Sequence, residues 1–501
     1  MNGLTINAGG TLTLSDGGIV TNVVFAGTGT MNFDVASSGT LTVVANNGVA
    51  NNGAAGSITL NITGAVPTLG TYTLIAYSGS LQGSGFSAYK LGSVPGSAGY
   101  TLVNSPGAVQ LVVTAPLVWT GAQSSEWSIN PIGGAFNWTF LANPSDYTNG
   151  LPVLFGDTVG AGSTTVDLSV ADVTPSGVTF DNSSYNYTLQ GSKAIAGAAY
   201  LIKGGSGTLT ILNNNTYNGG TIVSAGTLQV GTNGTSGALG SGAIIDNADL
   251  QFNRSDALAV AGPISGTGAL AQIGNGTLTL SGANTYTGPT TVNAGTLSLT
   301  GTNNGSSITV NNTAVLNQSA GGVIAGTGVT LVHDSTGAST LSGSNSFTGA
   351  ITVSAGELDL TKWSTNTLGT VTVAGTPGAI LGISGSATYN LGGSSLFVST
   401  ATGGNGTVNQ TGGTVSFTSG NALLVGNGAG SGSSGTYNLS GGTLSSFTST
   451  TRGVMLGVNH TCSATFSLSG AGNLALGLAE LAVGRNDGCT LRFAGKQHGK
   501  R

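Results

Sequence analysis

Charge is what this sequence has least of: Lys, Arg, Asp and Glu make up 5% of 501 residues, 11 cationic against 16 anionic, for a net charge of −5. That balance excludes the basic footprint of a nucleic-acid binder. Cysteine is nearly absent, with Cys462 and Cys489 alone, so neither a disulfide-stapled small domain nor a cysteine-built zinc site is available. The three histidines, His333, His460 and His498, are isolated from one another, which leaves no metal cluster and no catalytic triad to assemble. No apolar run reaches the ~18 residues of a membrane helix, and the opening MNGLTINAGG has neither a cationic nor an apolar leader region. A signal segment is therefore expected upstream, and the sequence reads as part of a longer frame.

What the chain has instead is glycine, 88 residues of it, in a background of Ser, Thr and Asn. Glycine at this level usually marks disorder, but the mean hydropathy is +0.24, and Val, Ile and Leu alternate with polar residues. A stacked β core is therefore within reach. The organising stretch is GTLTLSGANTYTGPTTVNAGTLSL, residues 276–299. Its two runs, TLTL and TLSL, alternate hydroxyl and leucine, which places Leu278, Leu280, Leu297 and Leu299 on one face. The two Gly-Thr-Leu openings lie 19 residues apart, and Asn-Thr-Tyr-Thr-Gly-Pro between them supplies the turn.

Gapless copies follow at 207–230 and 337–360, offsets of 69 and 61 that both keep the 19-residue internal spacing. Offsets of this size fit three coils of about 20 to 23 residues each, the period of a solenoid. No segment offers a convincing helix. The expected fold is all-β: a right-handed parallel β-helix (solenoid) with β-rich capping and entry modules.

Residues 1–115 read as a solenoid end, with short strands to about residue 64 and then longer strands that close it before Ala115-Pro116. Residues 116–200 form a Trp-rich β entry module. Trp119, Trp127 and Trp138 there could serve as a sugar-stacking platform, but buried aromatics that seed a new β module are the weightier reading. Residues 201–495 carry the parallel β-helix with its three copies, and the C-terminal rungs occupy 387–493. Residues 496–501 form a basic tail, whose simplest reading is a chain end unrelated to the fold.

In the C-terminal rungs the segments opening at Gly406, Gly435 and Ala464 succeed one another at 29 residues. Tyr437, Phe466 and Phe493 are expected at like positions, as an inward aromatic ladder. An offset of 27 aligns Leu456 with Val483, Cys462 with Cys489 and Phe466 with Phe493. Stacked rungs lie about 4.8 Å apart, which would make the two cysteines neighbours, as a disulfide or as stacked free thiols.

The pattern Leu-x-Leu-x-Gly-x-Asn-Thr-Tyr-Thr-Gly-x-Thr-x-Val-x-Ala-Gly-Thr-Leu at 278–297 resembles the autotransporter-associated β-strand repeat, or passenger-associated transport repeat, of large bacterial surface and secreted proteins. The resemblance implies a β-helix passenger, extracellular or associated with the outer-membrane surface. It also implies an outer-membrane translocator barrel as a partner. The ten-residue amphipathic strands of such a barrel are not found in the last 250 residues, so the barrel is expected outside this sequence. The expected function is a non-enzymatic, structural or adhesin-like passenger whose repeats support export and folding outside the cell. Host surface, matrix or polysaccharide would be its partner, and no cofactor is expected. The competing reading is a β-helix carbohydrate-active enzyme, a polysaccharide lyase or glycoside hydrolase, which needs clustered carboxylates. The tightest same-face pair is Glu357 and Asp359, with Lys362 the nearby cation, and no catalytic or metal site follows from it.

Overall fold

The computed structural model describes residues 2–14, 19–35, 42–46, 50–51, 56–65, 67–78, 81, 84–92, 94–95, 98–130, 136–363, 368–375, 378–386, 388–391, 394–399, 404–417, 423–426, 433–447, 453–457, 463–477, 481–483 and 489–494. Cys462, His460, His498 and the tail 496–501 lie outside the described residues. The chain divides into two compact units, Met1–Thr227 with Ala238–Gly242, and Leu228–Gly237 with Ala243–Arg501. Among the described residues the helical structure is two single turns, Gly85–Ala88 and Asp157–Val159. Everything else regular is strand.

The first unit begins with two parallel ladders. One runs Asn2–Ile6, Ile19–Phe25, Thr42–Asn46 and Gly70–Ser78. The other runs Gly10–Leu14, Gly29–Asp34, Ile58–Thr63 and Tyr89–Leu91. Between them lies a core containing Phe25, Met31, Phe33, Leu60 and Leu74. The first ladder changes direction at its end, where Ala108–Thr114 pairs antiparallel with Gly70–Ser78 and with Gly99–Ser105. This hairpin occupies the edge that the parallel stack would otherwise leave open.

Parallel coiling resumes after Pro116. Val153–Gly156 pairs with Val178–Asp181, then Leu201–Gly204, then Thr221–Val223. Thr165–Asp167 likewise pairs with Tyr187–Gln190 and Thr208–Ile211. Trp119, Trp127 and Trp138 are buried here and pack edge to face, with ring centroids 4.9 and 5.5 Å apart. Phe155 lies against all three and stacks on Phe180 at 4.3 Å. None of the tryptophans offers a face to solvent, so the sugar-platform reading of this cluster falls. Asn137 ties the loop around them: its Oδ1 accepts from the amides of Gln123 and Ser124, and its Nδ2 donates to Ser124 Oγ and Glu126 O.

Among its described residues the second unit is built of coils. Ala257–Val260, Thr277–Leu280, Thr296–Leu299 and Val315–Gln318 stack in parallel, and Leu278 faces Leu297 at the 19-residue spacing read from the sequence. A second ladder includes Ala269–Gln272, Thr290–Val292, Ile308–Asn312 and Leu331–Ser335. Short third faces close the coils, Ala283–Asn284 to Val323–Ala325 and later Thr388–Asn390 to Asn473–Gly477. Leu278, Leu280, Leu297 and Leu299 are all buried, as hydroxyl–leucine alternation requires.

Further along, Asn405–Gln410, Ser434–Leu439 and Ser463–Ser469 stack at 29 residues per coil. Tyr437 and Phe466 are register partners, with their rings stacked 5.5 Å apart. Phe493 is corrected. The last pairing sets Phe466 against Leu491 and Phe493 against Leu468, and it sets Cys489 against Ala464 rather than Cys462. Leu456 does face Val483, so the offset of 27 holds on one side of the coil and falls to 25 on the other. The cause is the connection between the strands. Leu456 to Ala464 takes eight steps and Val483 to its partner Cys489 takes six. A shift of two preserves the alternation of faces, so Phe493 falls in the column of Leu439 and Leu468, one place along from Phe466.

Candidate functional site

Several of the repeats' non-leucine residues are internal fasteners. The Asn of each Asn-x-Tyr/Phe is buried, and its Oδ1 accepts a backbone N–H from the preceding coil. Asn215 takes Ile195, Asn284 takes Ile264 and Asn345 takes Ile324, at 2.9, 2.9 and 2.8 Å. An amide left at a coil corner without that acceptor would be a buried orphan donor.

The next feature comes as a pair. Tyr217 and Thr221 share a buried hydroxyl hydrogen bond of 2.7 Å, and Tyr286 and Thr290 share one of 2.6 Å. In the third copy the same two positions are Phe347 and Ile351, both buried, so both hydroxyls are lost together and neither is stranded. The sequence displays this double replacement, but the Tyr-to-Phe change read singly does not reveal that it is coupled.

The glycine of each Ala-Gly, Gly226, Gly295 and Gly356, is left-handed, with φ of 65°, 59° and 55°. A Cβ on Gly295 would stand 2.2 Å from Gly276 O of the preceding coil, so the position demands glycine on two counts.

Several ionisable groups are likewise absorbed by the fold. Glu357 and Asp359 sit on the strand Ile351–Leu360. Asp359 lies between Thr340 and Gly382 in register, its carboxyl raised by partial burial. A Cβ at Gly382 would collide with that carboxylate, so Asp359, on the outward face between the buried Leu358 and Leu360, lies across the neighbouring coil. Lys362 is exposed, and among the described residues its ammonium forms no ion pair with Glu357 or Asp359. The ion pair found among the described residues is Arg254 with Asp256 at 2.7 Å. Arg254 also donates to Thr235 O and Gly237 O and so pins the preceding loop.

Lys203 is buried and donates to the carbonyls of Gly204, Gly205 and Ala225; desolvation brings its ammonium down to about 8. Asp246 is buried, with one carboxylate oxygen lacking a partner among the described residues, and desolvation lifts it to about 6. His333 bridges Ala355 O and Ser339 Oγ. Asp157 is exposed, and the amides of Ser184 and Ser183 hold its carboxyl below the usual range. No group of three His, Cys, Asp or Glu side chains is placed to hold a metal among the described residues.

Coils stacked in parallel, leucine columns inside and Thr, Ser and Asn outside define a β-solenoid repeat protein. The chain carries the passenger-associated-transport-repeat three times, at residues 201–230, 270–299 and 331–360, each match ending where a copy read from the sequence ends. The chain is also similar to the adhesin BmaC autotransporter of Brucella suis biovar 1 (strain 1330). That match is 31% identical and covers 38% of this chain and 7% of the relative, so the chain spans a small fraction of the length of the curated relative it matches. No solved structure matches.

Proposed function

We propose that this chain is part of a non-enzymatic, adhesin-like passenger displayed on or released from a bacterial surface, with repeats that serve export and folding outside the cell. The observation that carries the reading is the threefold passenger-associated-transport-repeat, and the adhesin relative supports it. The side chains point the same way. Polar residues in the repeats fasten coil to coil, and the outward positions are short, neutral Thr, Ser and Asn. Such a surface suits broad, shallow contact with matrix or polysaccharide better than bond-breaking chemistry. An outer-membrane barrel supplied outside these residues would carry it across.

The test joins the chain to a signal segment and a translocator barrel, then measures protease accessibility on whole cells and adhesion to immobilised matrix and polysaccharide. Display with adhesion above that of the barrel alone is expected. Retention inside the cell, or release of soluble product from the polysaccharide in a manner abolished by Glu357→Gln, would replace this reading with another.

A further inference from the structure

The outward positions depart from Thr, Ser and Asn along one face of the second unit. One register column runs Thr291, Thr309, Val332, Thr352 and Thr372 and then continues as Phe397, Leu424, Met455 and Ala482. Phe397, Leu424 and Met455 are each the half-buried middle of a three-residue strand whose two ends are buried, so alternation turns all three outward. Ala482 is likewise half-buried. The other two faces of these coils stay polar: Thr407, Thr436 and Thr465 form one outward column, and Thr388, Thr414 and Thr443 another.

The apolar stripe falls in the least charged part of the chain. Residues 363–451 contain no Asp, Glu, Lys, Arg or His, and charge returns with Arg452 and Glu480, one of each sign. A charged partner would lose its water here and find no counter-charge, whereas a second copy brings a neutral face of its own. No charge among the described residues of this face repels that copy, although the whole chain carries −5. Side-chain size falls along the column, from Phe397 through Leu424 and Met455 to Ala482. Turned end for end by a two-fold axis, a second stripe sets Ala482 against Phe397 and Met455 against Leu424, which balances the bulk along the contact. Both stripes share the ~4.8 Å coil spacing, so the match holds over all four coils.

We propose that this face pairs two copies of the chain, antiparallel and through the stripe. Four coils at that spacing make a stripe about 14 Å long and one side chain wide, far less than the ~800 Å² per partner of a stable pair. The pairing is therefore weak, with a Kd on the order of 100 µM, and is met where chains are crowded. It does not rest on the adhesive reading, since association is measured on the purified chain.

Sedimentation velocity of the full chain, from about 5 to about 500 µM, is expected to show a monomer–dimer equilibrium. Leu424→Glu and Met455→Lys, each alone, should weaken it about tenfold, because each buries an unpaired charge, and leave the circular dichroism spectrum unchanged. An equimolar mixture of the two variants sets Glu against Lys at one contact and keeps the parent pair at the other, so dimer should return to within about threefold of the parent. Leu424→Thr with Met455→Thr, which gives these coils the residue of the earlier ones, should remove the dimer, and Thr352→Glu, two coils before the stripe, should keep it. A parent that stays monomeric throughout overturns the proposal, and its binding to phosphatidylcholine vesicles would then assign the face to lipid. Dimer that survives the double Thr variant, or a mixture that does not recover, overturns it as well.

Discussion

At Asn284 a single side chain decides whether a coil corner is satisfied. Asn284→Ala strands the Ile264 amide, which Asn284 Oδ1 accepts at 2.9 Å, and should cost about 1–3 kcal/mol, read as a lowered urea midpoint. Tyr217 and Thr221 are coupled differently. Tyr217→Phe alone leaves the buried Thr221 hydroxyl unpaired, whereas Tyr217→Phe with Thr221→Val reproduces the apolar solution seen at Phe347 and Ile351. A double-mutant cycle should therefore show the double variant less destabilised than the sum of the singles, and additive costs would refute the coupling.

Two buried charges give opposite pH signatures. The folded pKa of Asp246, about 6, lies above its unfolded value, so the folded state holds the extra proton and stability falls as pH rises through that window. Asp246→Asn should stabilise at pH 7 by about 1–3 kcal/mol, with the difference vanishing near pH 4. Lys203, brought down to about 8, sheds its proton earlier in the folded state, so its contribution to stability grows as pH rises from 8 toward 10. Denaturation midpoints across pH for Asp246→Asn and Lys203→Met separate the two.

At the scale of the strand and its turn, the sequence showed most of what matters. Alternation placed Leu278, Leu280, Leu297 and Leu299 correctly on the inward face, and the 19-residue spacing gave the register of Thr277–Leu280 on Thr296–Leu299. Both are periodicities of two and of one coil, and they survive in composition-poor sequence. The last pair of coils was misread at Phe493 because similar residues in the connecting segment invite a constant offset, while the hydrogen-bonded register allows the connection to shorten by two. The fasteners at Asn215, Asn284 and Asn345 were visible as recurring letters but looked like turn residues, since their partners lie 20, 20 and 21 residues back. At the turn glycine the demand is strict: Gly295→Ala, at φ 59° and against Gly276 O, should cost more than about 1 kcal/mol, measured by thermal melting.

For the molecule as a whole, nearest-neighbour stacking makes a coil the unit of gain and loss. Removing residues 277–295 deletes one 19-residue period and brings Thr296–Leu299 onto Ala257–Val260 in place of Thr277–Leu280. The shortened chain should keep its β spectrum and cooperative melt. Removing 277–285 instead leaves about half a period, too few residues to pass round the coil and regain register on the preceding strand, so that chain should aggregate or fail to fold; equal behaviour of the two deletions would disprove coil-by-coil stacking.

The asparagine fasteners also impose an order in time. Each one reaches backward, and the amide it secures was laid down about twenty residues before it. At these three coils a chain ordered from its N-terminus would be fastened one period late, when the next coil arrives, with the side-chain amide acting as the pawl of a ratchet.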